Sequence, residues 1–228
     1  SRIDDSVRRI LINKFDLGLF DNPYVDENNV KQKVNTLKNI NAGLDAQRKS
    51  LVLLENNGIL PLKKETKIYI DGLDKNIGKD FGNVVNDPSK ADVIIMYIHT
   101  VFNGNQESGL NRIFDNFLST FFPNGDLEFN EEIKNKIKKY SKHKELIVVV
   151  DLNRPAILET IKESSSGVIA TFGVLDQIIF EGIYGKFNPS GKLPFEIPSS
   201  MEAVYNQKED LPDDSLNPTY EFGYGISY

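Results

Sequence analysis

The chain has 228 residues, 39% of them hydrophobic and 26% charged, the proportions of a folded globular protein rather than a disordered segment. A net charge of −6 and a sequence pI near 5.1 argue against a nucleic-acid partner, whose affinity rests on clustered Lys and Arg releasing counterions; no apolar run approaches the ~20 residues that span a bilayer. With no cysteine, and only His99 and His143 for imidazole, the sequence offers no thiolate, no disulfide and no HExxH-type metal spacing, so neither metal nor cofactor is expected.

Ile3, Val7, Ile10 and Leu11 recur at helical spacing behind Asp4 and Asp5, which predicts an amphipathic helix whose apolar face needs a partner surface. Gly18 and Asn22-Pro23 end it, and Val30, Val34, Leu37, Leu44 and Leu51 predict a second helical stretch. The chain has no initiator Met and no signal-peptide apolar region, and it opens directly into a helix, so it is expected to be cut from a longer parent. The change from helical linker to folded domain is placed near residues 41–48, giving segments 1–44 and 45–228.

From there continuous apolar runs alternate with helical patterns. Strands are predicted at Lys67–Asp71, 92–99, 146–151 and 168–172, with short additions at 82–85 and, as an edge strand tolerating Pro194, at 192–197. Helices are predicted over 130–140, 155–163 (with Pro155 in the first turn) and 175–184. This β-α-β-α order implies a three-layer α/β/α sandwich around a mostly parallel, doubly wound, flavodoxin-like sheet.

In such sheets ligands bind beyond the carboxyl ends of the strands. The rule singles out VFNGNQESGLNRIF (101–114), a polar loop with Gly104, Gly109 and one carboxylate, Glu107, which has the make-up of an active-site lid. Taken alone, Glu107 reads as readily as a solvated surface charge, and His99 as a cap on the sheet. No GxGxxG or GxxxxGK[ST] follows a strand, which leaves nucleotide binding unsupported. A receiver-like phosphoacceptor would use Asp71, Asp151, Thr171 and Lys192, in that order near strand ends. That arrangement lacks the paired acids of a magnesium pocket after the first strand, and Lys192 falls long after the fourth.

PSGKLPFEIP (189–198) and the terminal YEFGYGISY (220–228) resemble the closing signature of family 3 glycoside hydrolases, the β-glucosidase and β-xylosidase group. RIDDSVRRIL (2–11) and KFDLGLFDNPYVD (14–26) resemble the end of that family's barrel and its interdomain linker, and RKSLVLLENNGILPL (48–62) resembles the start of its second domain. The resemblance implies a carbohydrate substrate, metal-free retaining hydrolysis, and an Asp nucleophile on an N-terminal barrel of the same parent. It implies an acid/base Glu on a second-domain loop, for which Glu107 is the positional match and Glu128 in GDLEF (125–129) the reserve. The acid role calls for a carboxyl kept protonated beside an apolar wall, here Phe102; His99, Phe102 and Asn105 are the candidate sugar contacts. One departure stands out: in the subgroup sharing SSMEAVYNQKEDLPDDSLNP (199–218), the loop typically begins Pro-x-Glu, and Asn103 occupies the place of that Glu. A noncatalytic carbohydrate-binding or scaffold domain is the alternative.

Overall fold

The structure, a computed structural model, describes residues 1–100 and 125–228. It divides into two units, Ser1–Gly43 and Leu44–Tyr228. In the first, α1 (Arg2–Asp16) starts from a capping box: the Ser1 hydroxyl accepts from the Asp4 amide at 3.3 Å, and the Asp4 carboxylate reaches back to the Ser1 ammonium at 2.8 Å. These contacts satisfy the orphan groups of the first turn. No residue of α1 is buried, and Ile3 and Ile10 are 74% and 58% exposed. The second helical stretch is broken. α2 (Val30–Lys33) ends at an extended Val34, and Asn35 at φ 55° turns the chain into α3 (Leu37–Ser50), which ends before Leu51.

The second unit is built on β1 (Val52–Asn56), β2 (Lys67–Asp71), β3 (Asn83–Val84), β4 (Val93–His99), β5 (Glu145–Asp151) and β6 (Gly167–Thr171). Among the described residues these form one six-stranded sheet in the order β1-β6-β5-β4-β2-β3. β1 runs antiparallel to β6 and every other pair is parallel. The helices are α4 (Lys75–Phe81), α5 (Glu131–Ser141), α6 (Glu159–Ser164), α7 (Asp176–Ile183) and α8 (Met201–Tyr205). Alternate residues of β5 feed two cores: Leu146, Val148 and Val150 pack with Ile137 of α5 and Ile161 of α6, whereas Ile147 and Val149 pack with Ile178 and Phe180 of α7. Both faces are therefore covered, which is why these strands read as unbroken apolar runs.

Three expected elements differ. β1 was not anticipated as a strand, because Leu44 and Leu51 extend the helical register up to its first residue. The helix expected from Pro155 begins only at Glu159; the Ile157 amide donates to the Leu127 carbonyl at 3.0 Å, a bond outside any helical ladder. Residues 192–197 form no strand. They lie along the C-terminal segment through separate bonds, Leu193 N to Tyr224 O and Ile197 N to Tyr220 O, both 2.8 Å, and Pro194 between them has no N–H for a ladder.

The two terminal motifs meet at β1. The Gly191 amide donates to the Leu51 carbonyl at 3.2 Å, and the Ile226 amide to the Leu53 carbonyl at 2.8 Å. A Cβ on Gly191 would lie 2.5 Å from the Leu51 carbonyl oxygen, and one on Gly225 2.5 Å from the Gly191 carbonyl oxygen. These glycines are needed because two backbones touch. Gly191→Ala is expected to cost about 1–3 kcal/mol, read as a lower denaturant midpoint with unchanged slope.

Arg48 of α3 is tied to Glu181 of α7, Nε to Oε2 at 2.8 Å, with the Glu side chain 13% exposed. The guanidinium holds the Glu181 carboxyl below its ordinary range, and burial opposes it only in part. A depressed folded-state pKa stabilises the fold above the unfolded value of about 4.3, and that stabilisation is lost as pH falls through the folded value. Unfolding midpoints measured from pH 6 downward should therefore fall more steeply in the wild type than in Glu181→Gln.

Candidate functional site

The parallel strands stand in the spatial order β3-β2-β4-β5-β6, so the chain moves outward from β2 to β3 and then returns past β2 to β4. The gap between the carboxyl ends of β2 and β4 is therefore the topological switch point, where open α/β sheets bind ligands. In sequence, residues 101–114 follow β4. Glu107, Phe102 and Asn105, like Asn103, lie outside the described residues.

His99 is the last residue of β4 and pairs in register with Asp151, the last of β5, which pairs in turn with Thr171, the last of β6. Three neighbouring strand ends thus bring three polar side chains together. The Asp151 side chain is 5% exposed, that of His99 63%, and His99 Nδ1 lies 3.4 Å from Asp151 Oδ2. Asp151 Oδ1 accepts from the Gly173 amide at 2.7 Å and the Thr171 hydroxyl at 3.1 Å, while Asn153 Nδ2 donates to Oδ2 at 3.3 Å. A buried carboxylate is tolerated when its lone pairs are filled in this way. The arrangement fixes an acceptor beneath an exposed imidazole at the ligand-binding edge. The Tyr97 ring stands edge-on to His99 with centroids 4.8 Å apart. Its hydroxyl is pushed up to about 12, first by burial and then by the charges of Asp151 and Asp176.

Glu128 takes a different place. It lines a cavity of about 200 Å³ with Phe129, Lys134, Ile161 and Ser199, and its Oε2 is 2.9 Å from Lys134 Nζ. That hydrogen bond is the main cause of a raised Lys134 ammonium pKa. The carboxylate is committed to a cation between α5 and α6. Arg154 Nη2 donates to the carbonyls of Gly125 at 2.6 Å and Asp126 at 3.0 Å, anchoring the chain that leads into α5.

The receiver-like set is not brought together. Asp71 Oδ2 is held by Lys136 Nζ at 2.7 Å and the Tyr140 hydroxyl at 3.0 Å, and Lys192 Nζ donates to the Gly225 carbonyl at 2.6 Å. Among the described residues no three His, Asp or Glu side chains cluster so as to hold a metal ion, and no helix is long and apolar enough to cross a membrane. Sequence reasoning named His99 and Asp151 separately without pairing them. The signal was present, since both end apolar strands that are consecutive in the parallel β-α-β series.

Comparison with known proteins places this geometry in a family. The glycosyl hydrolase family 3 C-terminal domain matches residues 69–228. A probable beta-glucosidase C of Aspergillus flavus is 37% identical over 235 residues, covering 100% of this chain and 35% of its own length. A periplasmic beta-glucosidase/beta-xylosidase of Dickeya chrysanthemi is 36% identical over 231 residues, covering 100% and 34%. The chain thus spans about a third of the length of these relatives. Among solved structures, the beta-glucosidase from Listeria innocua in complex with isofagomine superposes with a TM-score of 0.71 at 22% identity over 99% of this chain and 39% of its own, a likeness of fold. With its flavodoxin-like sheet and a match over most of its length, the chain belongs to the glycosyl hydrolase family 3 C-terminal domain family.

Proposed function

We propose that this chain is the second domain of a retaining β-glycosidase that removes terminal non-reducing β-linked glucose or xylose. In this reading residues 1–44 are the end of a preceding barrel domain and its linker, and residues 45–228 are the domain that presents the 101–114 loop to the sugar. The observation that carries it is the end-to-end match, at 36–37% identity, to about a third of enzymes named as beta-glucosidase and beta-xylosidase. The exposed apolar stripe of α1 agrees with it.

The chemistry divides between the two domains. An Asp on the barrel attacks the anomeric carbon, while Glu107, protonated, gives its proton to the departing glycosidic oxygen; the bond to that oxygen breaks as the glycosyl–Asp ester forms. Glu107, now ionised, then takes a proton from a water that attacks the same carbon and releases Asp and sugar. The two carboxyl groups would stand roughly 5–5.5 Å apart. Phe102 would supply the apolar wall for Glu107, and Asn105 and His99 would hydrogen-bond sugar hydroxyls, His99 steadied by Asp151. Because this chain supplies one member of the carboxyl pair, it is expected to have little turnover by itself. The test is the full-length parent assayed on aryl β-glucosides and β-xylosides with and without Glu107→Ala.

A further inference from the structure

A second cavity, of about 400 Å³, opens at the carboxyl side of β5 and β6, lined by Pro155, Phe195, Glu196, Gln207, Lys208 and Leu211 among others. Its size falls within the range of small-molecule sites. Pro155 follows the end of β5, and Phe195 packs edge-on against Phe172, which directly follows β6, with centroids 6.2 Å apart. The cavity therefore lies near the carboxyl ends of β5 and β6.

Its walls are fixed by hydrogen bonds. Glu196, 8% exposed, accepts on Oε1 from the Ser215 amide at 2.6 Å and Gln207 Nε2 at 3.0 Å. Gln207 Nε2 also donates to Ser215 Oγ at 2.7 Å. Among the described residues both contacts to Glu196 fall on Oε1, which leaves Oε2, and with it the side-chain carbonyl oxygen of Gln207, as acceptors for the cavity. The Lys208 amide is pinned to Asp214 Oδ2 at 3.1 Å, and Ser200 caps α8, accepting from the Ala203 amide at 3.1 Å. A preorganised, acceptor-rich wall facing an aromatic ring is complementary to a sugar, which offers hydroxyl donors on its rim and C–H groups on its faces. The charged lining residues are Glu196, Glu209 and Asp213 against Lys208, a balance that repels anions. Among the described residues no acid cluster is arranged for a cation.

We infer that this cavity is an additional carbohydrate subsite for a neutral sugar residue, with the Phe195 ring as stacking platform and Glu196 and Gln207 as hydroxyl acceptors. The ligand class rests on the glycosidase reading, and the described residues that line the cavity are Leu127, Pro155 and others within 195–213, none of them the acid/base that reading invokes. The test is an amide chemical-shift titration of the 228-residue chain with cellobiose and with xylobiose, using glucuronate and calcium chloride as controls. Saturable shifts are expected at Phe195, Gln207, Lys208 and Leu211 with the disaccharides and not with the controls. Phe195→Ala should weaken binding roughly tenfold. Leu211→Trp, at a half-exposed position on the rim, should fill the cavity and abolish the shifts without disturbing the core.

Shifts confined to His99 and residues 101–114 would overturn the subsite and leave the glycosidase reading standing. Equal responses to glucuronate, or a response to calcium alone, would overturn the choice of a neutral sugar. No response to any probe would also overturn the subsite, and the glycosidase reading would then be judged by turnover of the parent.

Discussion

In the full-length parent, Glu107→Ala is expected to lower turnover by about 10²–10⁴-fold on glycosides with poor leaving groups. An aryl glycoside whose phenolate leaves unaided needs no proton in the first step, so its glycosyl–enzyme ester should still form quickly and then accumulate. Its hydrolysis is slow because no carboxylate takes the proton from the incoming water. Azide needs no such base, so added azide should restore turnover and yield the β-glycosyl azide, with configuration retained through two inversions. This combination of leaving-group dependence, a burst of released phenol and azide rescue separates an acid/base from a residue that only shapes the loop. A residue of the second kind would lower turnover on all substrates alike and would not respond to azide. Unchanged rates in Glu107→Ala would move the proton-transfer role to Glu128 or to the barrel. The ion pair of Glu128 with Lys134, 2.9 Å long, argues against the first of these, since a proton donor would have to leave that cation. If Glu128→Gln were silent as well, the chain would serve as a noncatalytic sugar-binding or scaffold domain.

Much of the fold could be read from local pattern because its strands are buried on both faces. β2, β4, β5 and β6 each carry continuous apolar runs, and burial on two sides is the physical cause of such runs. β1 escaped notice for the opposite reason. Its position is set by antiparallel pairing with β6, more than a hundred residues later, and by the Gly191 and Ile226 amides bonding to the carbonyls of Leu51 and Leu53 beside and within it. Pro155 shows tertiary contact prevailing over a helix-start preference, since the Ile157 amide is committed to the Leu127 carbonyl where local propensity favours a helix. The site divides along the same line. His99 and Asp151 end runs that the sequence marks as strands, so their adjacency follows from register alone. The cavity around Phe195 and Gln207 depends on a loop folding back across residues 195–215 and on a ring packed against Phe172, contacts with no periodic signature. The glycines of the terminal motifs were legible as a family signature, while the reason for Gly191, a backbone crossing β1, required the structure.

Asp151→Ala is expected to destabilise the domain by about 3 kcal/mol or more, through the loss of two hydrogen bonds to a charged acceptor at about 1.5–3 kcal/mol each. These are the bonds from the fully buried Thr171 hydroxyl, which keeps only a long contact to the Val150 carbonyl at 3.5 Å, and from the amide of the exposed Gly173, whose bond to Oδ1 is the shortest in the cluster at 2.7 Å. The cavity left by the carboxylate adds to the loss, since the neighbouring Val150, Leu152 and Ala170 are all buried and have little room to collapse. Asp151→Asn keeps the shape and can keep Oδ1 as an acceptor. Its new amide would then face Asn153 Nδ2, a donor opposite a donor, so its cost should be about 1 kcal/mol. For a domain of this size, about 1 kcal/mol corresponds to roughly 2–4 °C in Tm, which puts the Ala variant roughly 6–12 °C below the wild type and the Asn variant only a few degrees below. Urea unfolding with an unchanged slope would attribute the loss to the native state. Faster amide exchange at Gly173 than at Ile95, a core residue of β4 away from the cluster, would localise it to the carboxyl edge. Equal stability of Asp151→Ala and the wild type would mean that water fills the place of the carboxylate, and His99 would then lack the fixed partner on which its proposed contact with the sugar relies.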